Sequence, residues 1–175
     1  MLACIVTRDR TNPDIRIVEN VGKQDAERVA MTRELHKESG LRNSLDEPLP
    51  FSEKKVRAML RRIIPDTHNS VIGIIGTPGQ IEGSVCVVRD EPWYSDSEFI
   101  QEKWNFVLPE FRKSTNAQTR IAFSQAVSCA WKRLLIMGVM STERQPAKMR
   151  FYKRQMGCEP FGGFFVFDYN QKLGD

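Results

Sequence analysis

The segment that most limits what this chain can fold into is NFVLPEFRKSTNAQTRIAFSQAV, Asn105 to Val127. It begins as a strand and turns through a polar stretch holding Arg112, Lys113, Ser114, Thr115 and Asn116. It continues as a helix to about Leu134, with an apolar stripe at Phe123, Ala126, Val127, Ala130 and Leu134. A second strand-like run, LLIMGVM, follows. Strand, helix and strand in that order require a crossover that sets the two strands parallel and lays the helix on one face of their sheet. Ligands in such sheets collect at the carboxyl ends of the strands, where LPEFRKST falls. The polar turn has two readings. Either Ser114 or Asn116 caps the helix while the cations lie in solvent, or the unpaired N–H groups at the helix start hold an anion.

The rest of the chain is consistent with one domain over residues 1–175. DIRIVENV alternates apolar and polar residues as a half-buried strand does, and KQDAERVAMTRELHKESG reads as a helix ending at Gly40. In FSEKKVRAMLRRII, Val56, Met59, Leu60 and Ile63 fall on one helical face, with Ser52 as N-cap. SVIGII and QIEGSVCVV, joined by GTPG, predict an antiparallel hairpin. EFIQEKWNFVL is a third long strand, QPAKMRFYKRQMG a last helix and GGFFVFD a last strand. The order predicts an α/β (α+β) fold, a mixed and mostly antiparallel sheet of about six or seven strands flanked by about four helices.

Composition removes several classes. Hydrophobic residues at 41% and charged residues at 27% exclude a disordered chain. The apolar runs are far short of the roughly 20 residues that span a bilayer, so no membrane segment is expected. Four scattered cysteines without a CxxC pair point to free thiols in a reducing compartment, the cytoplasm, and no metal site is expected. A net charge of +4 suits an anionic ligand but is too small to indicate nucleic acid, and no recognition-helix or zinc-finger pattern is present.

The element order, together with VLPEFRKSTNAQTR at the strand-to-helix junction, resembles the GCN5-related N-acetyltransferases, the GNAT superfamily. Their signature is [Q/R]-x-x-G-x-[G/A], led in by V-x-P-E-[YF]-R. Val107, Pro109, Glu110, Phe111 and Arg112 match the lead-in, and Arg112-x-x-Thr115-x-Ala117 overlays the signature. PAKMRFYKRQMGCEPFGGFF resembles the family's last motif, so the likeness runs from Asn69 to Phe167 and is weaker over the first 65 residues. Within the family the chain is most similar to acetyltransferase-like proteins encoded by bacteriophages. It departs from the pattern at three points: Thr115 stands for the motif glycine, Glu143 or Arg144 for a frequent asparagine, and the spacing from Tyr152 to Gly157 is one residue longer.

The resemblance implies a GNAT fold, acetyl-CoA (coenzyme A) as cosubstrate, and transfer of the acetyl group to an unknown amine by direct attack in a ternary complex. It implies that Arg112, Lys113, Ser114, Thr115, Asn116 and Ala117 cradle the pyrophosphate, and that Phe106 and Val107 lie at a bulge whose backbone N–H faces the thioester. Tyr152 matches the residue that protonates the departing thiolate; ordinary core packing is its rival reading. Glu98 and Glu102 are candidate bases, expected on one strand face with Trp104 and Phe106; cross-strand charges on a wet face are their rival reading. Residues 69–168 are expected to form the cofactor-binding core, and residues 1–65 to cover the acceptor site. A homodimer, and the host cytoplasm for a phage-encoded chain, are compatible with this picture. A non-catalytic GNAT-fold module that binds a host or virion protein is the alternative that Thr115 and the absent asparagine leave open.

Overall fold

A computed structural model describes residues 15–19, 25–38, 49–112, 116–139 and 144–162. Among these, five strands form one sheet in sequence order: β1 (Ile15–Ile17), β2 (Ser70–Thr77), β3 (Gln80–Asp90), β4 (Phe99–Val107) and β5 (Leu135–Ile136). Four helices accompany it: α1 (Asp25–Glu38), α2 (Glu53–Ile63), α3 (Asn116–Trp131) and α4 (Gln145–Met156). The first four strands pair antiparallel, and β5 joins β4 parallel after the α3 crossover, as the strand–helix–strand pattern requires. The strand count is below the expected six or seven; GGFFVFD lies outside the described residues from Gly163 onward.

Local chemistry explains the main elements. Ser52 caps α2, its Oγ accepting from the Lys55 N–H at 3.3 Å. Pro78 and Gly79 turn β2 into β3, and Gly79 has φ +94°, which the third position of a type II turn demands. Pro146 starts α4, and Gly157 ends it with φ +68° as its left-handed C-cap. The helix after the polar turn stops at Trp131, so Leu134 lies beyond it and is exposed, contrary to the expected stripe.

Each sheet face carries its own apolar layer. On one, α1 and α2 bring Val29, Met31, Leu60 and Ile63 onto Ile72, Ile74, Cys86, Val88, Trp104 and Phe106. On the other, Phe123 and Val127 of α3 lie on Ile15, Val71, Ile75, Val85, Val87 and Ile100. Helix α4 packs on α3, with Gln125 Nε2 donating to the Gln155 carbonyl at 3.3 Å.

One irregularity in β4 positions the site. Cys86 pairs with Trp104, but Val87 pairs with Glu102, so Lys103 is an extra residue on β4, a β-bulge. The bulge shifts the alternation of the strand. Glu102 shares the α3 face with Ile100, whereas Trp104 and Phe106 belong to the α1/α2 face. The expectation that Glu102 lies with Trp104 and Phe106 is thus corrected, because simple alternation does not survive an inserted residue.

Candidate functional site

Beyond Gln101, β4 and β5 part. Their pairing is limited to Ile100 with Leu135 and Gln101 with Ile136. Among the described residues, the stretch Glu102–Val107 therefore has a strand neighbour on the β3 side only. The Leu108 N–H donates to Glu82 O at 2.9 Å, which fixes the alternation at this end of the strand. Phe106, two residues earlier, turns its N–H to β3 as well, and the Val107 N–H points to the open edge. The bulge expected at Phe106 and Val107 lies instead at Lys103, yet Val107 still offers a backbone donor at the parting of the strands.

Behind that edge lies a polar cluster in an otherwise apolar layer. Tyr152 of α4 reaches the sheet, where its Oη accepts from Asn105 Nδ2 at 2.9 Å. Asn105 Oδ1 accepts from Arg120 Nε of α3. Glu102 stands beside them, with its Oε2 buried and without a protein donor; Arg120 Nη1 is likewise buried without an acceptor. Gly83 makes room for the guanidinium: a Cβ there would lie 2.9 Å from Arg120 Nη1 and 3.1 Å from the Phe106 carbonyl.

Burial dominates the electrostatics. It pushes the Glu102 carboxyl up from 4.5 to about 7, opposed by a hydrogen bond from Asn105 and the charge of Arg120. It lowers the Arg120 guanidinium to about 10, opposed by Tyr152 and Glu102. The Tyr152 phenol is raised above its ordinary value by burial and by Glu102, against the pull of Arg120. Near neutral pH the cluster holds a protonated phenol, a charged guanidinium and a carboxyl poised between its two forms. It is suited to proton transfer.

The sequence-derived candidates separate. Tyr152 and Glu102 come together around Asn105. Glu98 does not join them; it pairs with Arg133 at 3.0 Å and with Arg89 at 3.8 Å, half-exposed at the other end of β4. Phe106 is buried in the α1/α2 layer. Arg112 lies near the end of β4, where it ion-pairs with Glu38 of α1, donates to the Val107 carbonyl at 3.3 Å and stacks 5.6 Å from the Phe106 ring. Asn116 opens α3, its Nδ2 donating to Glu82 Oε2 at 2.8 Å, and Ala117 is half-buried in the first turn. Lys113, Ser114 and Thr115 lie outside the described residues.

Sequence reasoning missed Asn105 and Arg120. Arg120 had a detectable signal, since it falls one turn after Asn116 on the helix face that also carries Phe123 and Val127. A cation on an apolar stripe invites a search for its buried partner. Asn105 had none, because its face depends on the bulge.

No protein-family model and no curated protein matches the sequence. Solved structures do match in fold. The chain is similar to AAC(6')-Iy in complex with the bisubstrate analogue CoA-S-monomethyl-acetylneamine, at a TM-score of 0.63 and 15% identity, over 89% of this chain and 97% of that one. It is similar to the aminoglycoside 6'-N-acetyltransferase AAC(6')-Ih of Acinetobacter baumannii, at a TM-score of 0.60 and 15% identity, over 89% and 98% of the two chains. A possible acetyltransferase of Clostridium difficile 630 matches at 0.59 and 10% identity, over 90% and 97%. At these identities the likeness is one of fold: a mixed, mostly antiparallel sheet with four helices, the GNAT arrangement.

Proposed function

We propose that the protein is an acetyl-CoA-dependent N-acetyltransferase that moves the acetyl group to an amine by direct attack in a ternary complex. The observation that carries this reading is the Tyr152–Asn105–Glu102 cluster set behind the parting of β4 and β5. The GNAT fold supplies the frame, and a neighbour of that fold was determined with a CoA bisubstrate analogue. The molecule would act in the cytoplasm as a single domain, with residues 1–65 over the acceptor side.

Each required step has a candidate group. The pyrophosphate of acetyl-CoA is proposed to lie at the start of α3, where backbone N–H groups carry partial positive charge, with Arg112 and Lys113 adding charge beside it. Acetyl-CoA would supply the thioester. The Val107 N–H is the proposed donor to its carbonyl, and of the pair Phe106 and Val107 it is the one on the open edge. Glu102, with its carboxyl near 7, is the proposed base for the acceptor ammonium, directly or through water. Tyr152 is the proposed acid for the departing thiolate. Glu98 is neutralised by two arginines and is the weaker candidate base.

Calorimetric titration with acetyl-CoA, followed by thiol release with a panel of amines that includes aminoglycosides, tests the reading. Heat on binding and thiol release with at least one amine are expected. Arg112→Glu should weaken binding by about tenfold or more, and Tyr152→Phe should lower turnover by about a hundredfold. No heat at high ligand concentration overturns the reading in favour of a partner-binding module. Heat without turnover on any amine leaves a binder of acyl-CoA.

A further inference from the structure

The Asn105 carboxamide lies at the centre of this half-buried cluster, and its orientation can be settled by chemistry. An amide has one end that only accepts and one that only donates. A guanidinium only donates, so the end that meets Arg120 Nε is the oxygen. The –NH2 end is thereby turned to Tyr152 Oη, 2.9 Å away, and it also serves Glu102. Arg120 cannot easily release this arrangement. It is 5% exposed and is seated over Gly83, where even a methyl group would crowd it.

The consequence falls on the Tyr152 hydroxyl. Toward the strand it must accept, because the group it meets there has only hydrogens to offer. Its own hydrogen is left for something else, and among the described residues it meets no acceptor. We propose that Asn105, locked by Arg120, is a positioning residue that fixes the direction of the Tyr152 O–H bond and so keeps its proton available to the group entering beside β4. This rests on the acetyl-transfer reading and adds to it the residue pair that sets the polarity of the acid.

As the thioester C–S bond breaks, the Tyr152 O–H bond breaks and an S–H bond forms on coenzyme A. The phenolate left behind keeps the hydrogen bond from Asn105 and faces the Arg120 charge. It then takes a proton from solvent. Over the cycle, an ammonium and a thioester become an amide and a thiol, and one proton is released.

Asn105→Asp tests the assignment, because an aspartate of the same shape can still pair with Arg120 but offers Tyr152 only acceptors. Tyr152 should then turn its hydrogen to the strand. Turnover should fall by about tenfold or more, with KM for acetyl-CoA within about twofold of wild type. The double variant with Tyr152→Phe should be no slower than Tyr152→Phe alone; additive losses would mean a general structural role and overturn the assignment. Unchanged turnover in Asn105→Asp overturns it equally. Should that variant fail to fold, Asn105→Ala is measured in the same cycle, and wild-type turnover there is the overturning result. A second readout does not need activity. The tyrosine Fermi doublet in the Raman spectrum reports whether a phenol donates or accepts, and the difference from Tyr152→Phe isolates Tyr152. It should move toward the donor form in Asn105→Asp, and an unmoved doublet overturns the assignment. If wild type acetylates no amine, the acetyl-transfer reading fails while the Raman comparison still decides the role of Asn105.

Discussion

Glu102 is a carboxyl in surroundings that disfavour its charge. Its folded value, about 7, lies above the unfolded value near 4.5, so the folded protein holds this proton more firmly than the unfolded chain does. The stability it contributes is present below pH 4.5 and is lost as pH rises through 7, by an amount on the order of 3 kcal/mol. Glu102→Gln remains neutral throughout. Its stability relative to wild type should therefore be greater at pH 8 than at pH 5, measured by urea unfolding at both. An equal difference at the two values would show that Glu102 does not titrate in that window. Under the proposed acetyl transfer the same titration would make Glu102 a better base as pH rises toward 8, so activity and stability should then change in opposite directions over this range.

At the scale of elements, α2 shows what a short polar signal can fix. Ser52→Ala removes the oxygen that satisfies the Lys55 N–H and should cost about 1 kcal/mol, seen as a lower Tm with the m-value unchanged. That cap was legible in the sequence, as were the GTPG hairpin, the parallel crossover and the side of α2 that faces the sheet. Local chemistry decided each of them: a side-chain oxygen, a proline beside a glycine, an apolar spacing. The face occupied by Glu102 was not legible. Lys103 is surplus only relative to β3, and nothing within EFIQEKWNFVL marks it as the residue that drops out of the pairing. The grouping of Glu102 with Tyr152, and with Arg120 across two further elements, is a tertiary fact of the same kind. Tyr152 was singled out only by its resemblance to a family motif, and Asn105, which donates to it, was hidden by the register.

For the whole molecule, the single sheet serves two apolar layers. Trp104 lies in the α1/α2 layer and Trp131 against the α3 layer. Neither layer can lose the sheet without exposing the other, so unfolding should be one cooperative event. Variants retaining only Trp104 or only Trp131 should report the same denaturant midpoint by fluorescence. Separated midpoints would mean that the helices leave one face before the other. One residue of β4 stands outside the pairing that joins the layers. Lys103 works like a comma in a line of text: it contributes little by its own identity, and its side chain is exposed toward Asp90 and Gln101. Strike it out and the words on either side close up in the same order: Glu102 and Trp104 would follow one another opposite Val87 and Cys86. Trp104 and Phe106 would stay with α1 and α2, and Glu102 and Asn105 with α3. Substitutions at this position should therefore be borne easily, and loss of the single residue should keep both layers and remove only the bend and extra twist that the bulge gives β4.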